Sequence, residues 1–155
     1  MLDELDFALI ARLQEDARKP VTQLAKELKR PTATIRDRLR RLEDSGVIER
    51  YTAVIDPAKI GFPIKALVHV STSGEAVDPD EFLQAVGQIP EAASAELVTG
   101  DFEAVVTLRV RDIEHLSRIL YKDLRRVPGV TGTTTSIVLL GRQWNLPRPE
   151  AVAPG

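Results

Sequence analysis

The stretch from Arg18 to Arg41 holds nine Lys or Arg and only two acids, Glu27 and Asp37, a net charge of +7. The rest of the chain has 12 bases and 21 acids and sums to −9, which leaves −2 for the whole. A basic block on an otherwise acidic chain is a local electrostatic feature, and its commonest partner is a polyanion. The plainer alternative is a solvated helix face. Within the block, Thr32, Ala33 and Thr34 are small, and Arg36, Arg38, Arg40 and Arg41 follow. Small residues permit close approach to base edges, and long cations reach the flanking phosphates of a duplex. The expected nucleic-acid contacts are therefore Thr32, Thr34, Arg36, Arg38, Arg40 and Arg41. Arg36 and Arg40 lie one helical turn apart on one side. Arg36 suits a base edge or a phosphate. Arg38, Arg40 and Arg41 suit phosphates or intramolecular partners, with Asp37, Glu43 and Asp44 as the neighbouring acids for Arg38 and Arg41.

Other chemistries are poorly represented. The absence of cysteine excludes disulfides, zinc–thiolate sites and thiol nucleophiles. Two histidines, His69 and His115, are too few for a histidine-rich metal site. His69 reads as a structural or interface residue, and His115 as a solvated one. No nucleophile–base pair or phosphate loop is visible, and Asp101 and Glu103 do not form an evident acid–base pair. The expectation is a protein without catalytic activity, metal or cofactor. The acidic start, Met1 to Glu4, lacks an apolar signal core, and no apolar run approaches a membrane span. The expected compartment is the cytoplasm.

Helical periodicity positions the basic block. Leu2, Leu5, Leu9, Ile10 and Leu13 mark a first helix, with Asp3 as its cap. Val21, Leu24, Ala25 and Leu28 mark a short second one. Lys29 to Pro31 interrupt the pattern. Ile35, Leu39 and Leu42 then define a third helix, which Gly46 ends. Three short helices with a tight break before the third outline a helix-turn-helix domain over residues 1–50. Residues 51–63 form a linker. Val47 to Ile55 is rich in β-formers and reads as a strand, followed by the Asp56-Pro57 and Gly61-Phe62-Pro63 turns.

Residues 64–140 alternate strand and helix. Ile64, Ala66, Val68 and Val70 line one face of a strand. Asp78-Pro79 starts a helix with Phe82, Leu83, Val86 and Ile89 inward. A strand from Ala93 to Thr99 leads through a tight Gly100-Asp101 hairpin to a strand with Phe102, Ala104, Val106, Leu108 and Val110 on one side. Asp112 caps a second helix with Leu116, Ile119, Leu120 and Leu124 inward, and Val130 to Leu140 is the last strand. The order β-α-β-β-α-β is the ferredoxin-like pattern. The fold class is thus α+β: an N-terminal winged helix-turn-helix domain joined by a strand linker to a ferredoxin-like βαββαβ domain. Two helices cover one sheet face only. The other face, assigned Leu67, Leu97, Val105, Val138 and Leu140, predicts self-association unless the linker strand or the N-terminal helices cover it. Residues 141–155 form an extended tail in which Trp144 is the one candidate for docking.

The ordered motifs resemble a known family. Leu2-Asp3-x-x-Asp6, Leu13-Gln14-x-Asp16-Ala17-Arg18, Leu24-Ala25 and Arg38-Leu39-x-x-Leu42-Glu43-x-x-Gly46-Val47-Ile48 are similar to the Lrp/AsnC (feast/famine) transcription regulators. Downstream, Asp56-Pro57, Gly61, Val98-Thr99-Gly100-Asp101-Phe102, Pro128-Gly129-Val130 and Thr135 to Leu139 agree. The resemblance spans residues 2–140. Three positions depart from the family pattern: Lys29 stands where Gly is usual before the third helix, Pro31 replaces the usual Ser cap, and Glu103 replaces Asp. Lys29 is then expected in a left-handed conformation, and Thr32 is expected to cap one residue later.

The resemblance implies double-stranded DNA as partner, transcription regulation, dimers that often assemble further to octamers, and an amino-acid effector held at a subunit boundary. A zwitterion requires donors for its carboxylate and an acceptor for its ammonium. The corresponding residues here are Thr99, Gly100, Asp101, Phe102 and Glu103 in the turn and Thr133, Thr134, Thr135 and Ser136 in the last strand. Gly100-Asp101 as a mere hairpin and the threonines as ordinary strand composition form the competing reading. An effector-independent architectural, nucleoid-type DNA-binding protein is the alternative function.

Overall fold

The computed structural model describes residues 2–73 and 78–142. The expected docking of Trp144 and most of the 141–155 tail lie outside them. The chain divides into two compact units, one ending at Val54 and the other spanning Ile55–Gly141.

The first unit is built from α1 (Glu4–Glu15), α2 (Val21–Glu27) and α3 (Thr32–Asp44). Their apolar stripes converge on Leu9, Leu24, Ala25, Ile35, Leu39 and Leu42. Each large aliphatic side chain buried here contributes about 1.5–3 kcal/mol. Asp3 caps α1, accepting from the Asp6 N–H at 3.0 Å, and the Asp6 carboxylate accepts in return from the Asp3 N–H at 3.0 Å. Lys29 does take the left-handed conformation (φ 52°). The Lys29 N–H bonds Lys26 O (3.3 Å) and the Arg30 N–H bonds Ala25 O (3.0 Å), which closes α2 in a Schellman arrangement. This turn aims the chain into α3. The expected Thr32 cap is not formed: Thr32 is already helical, and Pro31 occupies the cap position without a side-chain bond.

The strand expected over Val47 to Ile55 is also not formed. A strand needs a ladder, and none of the four sheet strands pairs with this segment. Val54 is 97% exposed. A 3-10 turn over Pro57–Ile60 follows, capped by Asp56 and closed by Gly61 (φ 93°).

The second unit contains β1 (Ile64–Thr72), α4 (Pro79–Gly87), β2 (Ala92–Leu97), β3 (Ala104–Val110), α5 (Ile113–Arg118) and β4 (Val130–Ile137). The antiparallel sheet runs β2-β3-β1-β4, the strand order of the expected βαββαβ plan. Asp78 and Asp112 cap α4 and α5 as expected, each accepting backbone N–H bonds. α5 continues through a wide turn, Ile119–Asp123, and a tight one, Leu124–Arg126. Ala66, Val68, Val70, Ala104, Val106, Leu108 and Val110 form the sheet side of the core, against Phe82, Val86, Leu116, Ile119 and Leu124.

Register corrects four assignments. Leu97 pairs with Ala104, so it belongs to the helix-covered face and not to the open one. Leu140 lies beyond β4, which ends at Ile137, and is 89% exposed. The β2–β3 connection is a six-residue loop, Val98–Glu103, rather than a tight two-residue turn. Phe102 precedes β3, and its ring packs on His69 rather than joining the inward row. Leu67 and Val105 do lie on the open face, opposite Thr107 and His69 respectively.

His115 is buried, not solvated. It sits one turn before Ile119 and so shares the inward stripe. Its Nδ1 accepts from the Arg111 backbone N–H at 3.4 Å, and its Nε2 lies 2.7 Å from Glu91 Oε1.

Candidate nucleic-acid face and effector turn

In α3, burial of Ile35, Leu39 and Leu42 turns Arg36, Arg40 and Arg41 to solvent, with Thr32, Thr34 and Arg38 partly exposed. The four arginines divide into two pairs. Arg38 Nη1 contacts the carboxylates of Asp3 and Asp6, standing 3.1 Å from Asp6 Oδ1. Arg41 Nη2 lies 2.5 Å from Asp6 Oδ2. Asp6 is fully buried, so one shielded carboxylate ties both guanidiniums to α1. The acids involved are Asp3 and Asp6, not the neighbouring Asp37, Glu43 or Asp44. Sequence distance concealed this, because α1 and α3 meet only in the folded unit. Arg36 and Arg40 have no ion-pair partner among the described residues.

These contacts act on the electrostatics. The Asp6 N–H and the Arg38 guanidinium hold the Asp3 carboxyl below its ordinary range. Asp3 and Asp6 in turn hold Arg38 more firmly protonated. The Tyr51 hydroxyl donates to Glu43 Oε1 at 2.8 Å, and burial followed by this bond pushes its pKa up to about 12.

A cleft of about 550 Å3 runs beside α3, lined by Asp3, Glu4, Leu5, Arg30, Pro31, Thr34 and Arg38. Arg30 was not among the expected DNA-facing residues. Its signal was its place directly before the Pro31 that opens α3.

In the second unit, Thr99, Gly100 and Asp101 lie exposed in the β2–β3 loop, with Gly100 at φ 127°. The Val98 N–H donates to Glu103 O (2.9 Å) and closes the loop. The Glu103 N–H donates to Val70 O (3.1 Å), and Glu103 Oε2 accepts from the Thr72 N–H (3.1 Å). Glu103 thus braces the loop against the end of β1. The Phe102 and His69 rings stand 5.0 Å apart at 42°. His69 pairs with Thr134, and Leu67 with Ser136. Phe102, His69, Thr134 and Ser136 therefore share the open face. Thr133 and Thr135 pair with Val70 and Val68 and point to the opposite side. The structure splits the last-strand set in two and puts His69, read from the sequence as a structural or interface residue, beside its open-face half.

Residues 2–49 match winged helix-turn-helix DNA-binding domains, and residues 65–142 match the Lrp/AsnC ligand binding domain. The chain belongs to the Lrp/AsnC family. This regulator is 37% identical over 139 residues to the HTH-type transcriptional regulator FL11 of Pyrococcus horikoshii, covering 89% of each chain. It is 32% identical over 139 residues to the leucine-responsive regulatory protein of Klebsiella pneumoniae, covering 89% of this chain and 85% of that one. Among solved structures it is similar to a transcriptional regulator of Neisseria meningitidis in complex with L-Met, with a TM-score of 0.89 and 25% identity over 98% of this chain and 100% of that one. It shares the fold of Escherichia coli AsnC, with a TM-score of 0.82 and 20% identity over 96% and 99% of the two chains. The chain is a DNA-binding transcriptional regulator of the Lrp/AsnC type.

Proposed function

We propose that this regulator is a cytoplasmic protein that binds specific sites on double-stranded DNA as a homodimer or higher oligomer, with α3 in the major groove, and that a small amino acid bound at the β2–β3 loop modulates it. The observation that carries the DNA reading is the division of the α3 arginines. Arg36 and Arg40 are cations unpaired among the described residues, on one side of a rigid helix, while Asp6 anchors Arg38 and Arg41 and so fixes that helix on α1. Thr32 and Thr34, short and near the start of α3, suit close approach to base edges. Arg36 reads a base or grips a phosphate, and Arg40 and Arg41 grip phosphates. Arg38 serves chiefly to position the helix.

For the effector, the backbone N–H groups around Gly100 suit a carboxylate, and Asp101 suits an ammonium group. Glu103 already receives the Thr72 N–H, which makes Asp101 the better acceptor. Thr134, Ser136 and Phe102 line the open face, where Leu67 and Val105 favour a second subunit. The neighbour's complex with L-Met supports an amino acid as the ligand class.

Footprinting of genomic fragments, the protein's own promoter first, with and without candidate amino acids tests both parts. If a dimer neutralises about six phosphates, log affinity falls against log salt with a slope of roughly −5. Arg36→Ala lowers affinity by about 1–3 kcal/mol on one sequence if it reads a base, and equally on all sequences if it grips a phosphate. A slope near zero removes the DNA reading. Calorimetric silence toward every common amino acid removes the effector.

A further inference from the structure

Outside the α3 block the cations are unevenly spread. Residues 55–141 carry eight Lys or Arg against twelve Asp or Glu, so the second unit is acidic. Yet Arg118, Lys122, Arg125 and Arg126 crowd into the end of α5 and the turns that continue it, with Asp123 the one acid among them. This segment buries Leu116, Ile119, Leu124 and Val127 in the sheet core. Arg118, Lys122 and Arg125 follow at i, i+4 and i+7, which puts them together on the side turned from the sheet. All four cations are exposed, and none has an ion-pair partner among the described residues. Tyr121, 62% exposed, lies beside them, and the Arg125 guanidinium stands 4.8 Å from its ring centroid. Stacking steadies that side chain and leaves its N–H edge free for an anion. Like charges one turn apart repel, against the favourable field that a helix C-terminus offers to cations.

We infer that this outer face of α5 is a second DNA contact, gripping the phosphate backbone beyond the site that α3 occupies. The inference rests on the DNA reading of α3. DNA is favoured over an acidic protein because the chain already brings a duplex to itself, and a tethered second contact then acts at high effective concentration. Nothing on this face is built to read bases. Its contribution is sequence-independent, which lets one protein serve as a specific regulator and also bind flanking DNA.

The test compares two duplexes, one trimmed to the wild-type footprint core and one several times longer. The full-length Arg118→Ala/Lys122→Ala/Arg125→Ala variant is expected to match wild type on the short duplex. On the long one it binds more weakly, its salt slope is shallower by about 0.9 for each phosphate it no longer neutralises, and protection outside the core disappears. Arg118→Lys/Arg125→Lys, which keeps the charge, restores the long-duplex slope. Equal affinity and slope on the long duplex overturn the inference, as does an equal loss on both. Wild type that binds neither duplex refutes the α3 reading itself, and this proposal with it. Binding of the wild-type face to acidic protein with no effect on DNA also overturns it.

Discussion

Arg38 and Asp6 stand 32 positions apart in the chain and 3.1 Å apart in space, Nη1 to Oδ1. The carboxylate is fully buried, and it also receives Arg41 Nη2 and the Asp3 N–H. One side chain thus closes the α1 cap and anchors α3 on α1. Asp6→Ala leaves the Arg41 guanidinium and the Asp3 N–H without their acceptor, and leaves Arg38 with Asp3 alone. It is expected to cost about 2 kcal/mol, moderated because both arginine heads reach solvent. Asp6→Asn, which keeps an acceptor, costs about half as much. Chemical denaturation gives both values, and a loss below about 0.5 kcal/mol for Asp6→Ala contradicts the anchoring role.

Acid should loosen the first unit at two places. Asp3 and Glu27 are both held below their ordinary values of 3.8 and 4.5, Asp3 by the Asp6 N–H and Arg38, Glu27 by Gln23 and Lys19. A depressed carboxylate adds stability above its unfolded pKa and loses that contribution as pH falls through the folded one. The acid limb therefore lies below about pH 4.5. Asp3→Asn keeps the cap and flattens that limb. Melting curves from pH 2 to 7 decide the matter, and identical limbs for wild type and variant count against it.

Alkali acts in the opposite sense on Tyr51. Its pKa, raised to about 12 from 10.0, marks a neutral form preferred in the fold. The stabilisation is complete below pH 10 and is lost as pH rises toward 12. Ultraviolet titration should show a tyrosine transition displaced toward pH 12, and Tyr51→Phe should remove it.

Lys29 pays for its left-handed backbone (φ 52°). Lys29→Gly is expected to stabilise the first unit by about 1 kcal/mol, since glycine adopts this conformation without Cβ strain. A midpoint shift in denaturant at unchanged m-value reads this out. A destabilised variant contradicts it.

Gly100 meets no atom within 4 Å where a Cβ would stand, but its φ of 127° is one that side-chain-bearing residues rarely adopt. Gly100→Ala should therefore strain the β2–β3 loop by about 1–3 kcal/mol and weaken amino-acid binding. Calorimetric titration of a responsive amino acid against both forms measures the loss, and unchanged affinity places the effector elsewhere.

Local chemistry was legible in the residues themselves. Helical spacing of Leu9, Leu24, Ile35, Leu39 and Leu42, alternation along Ala66, Val68 and Val70, and the caps Asp3, Asp78 and Asp112 all act within a few residues of where they stand. They determined the basic helix and the order of elements within each unit, though not the strand expected over Val47 to Ile55, which pairs with no sheet strand. The fold alone decided which distant groups meet: Asp6 with Arg38 and Arg41, Phe102 with His69, His115 with Glu91, and Leu97 turned to the covered face. Periodicity tells which side of an element is apolar. Which charge or ring lies opposite depends on register and on where two separate segments come to rest, and that is set by packing the whole unit.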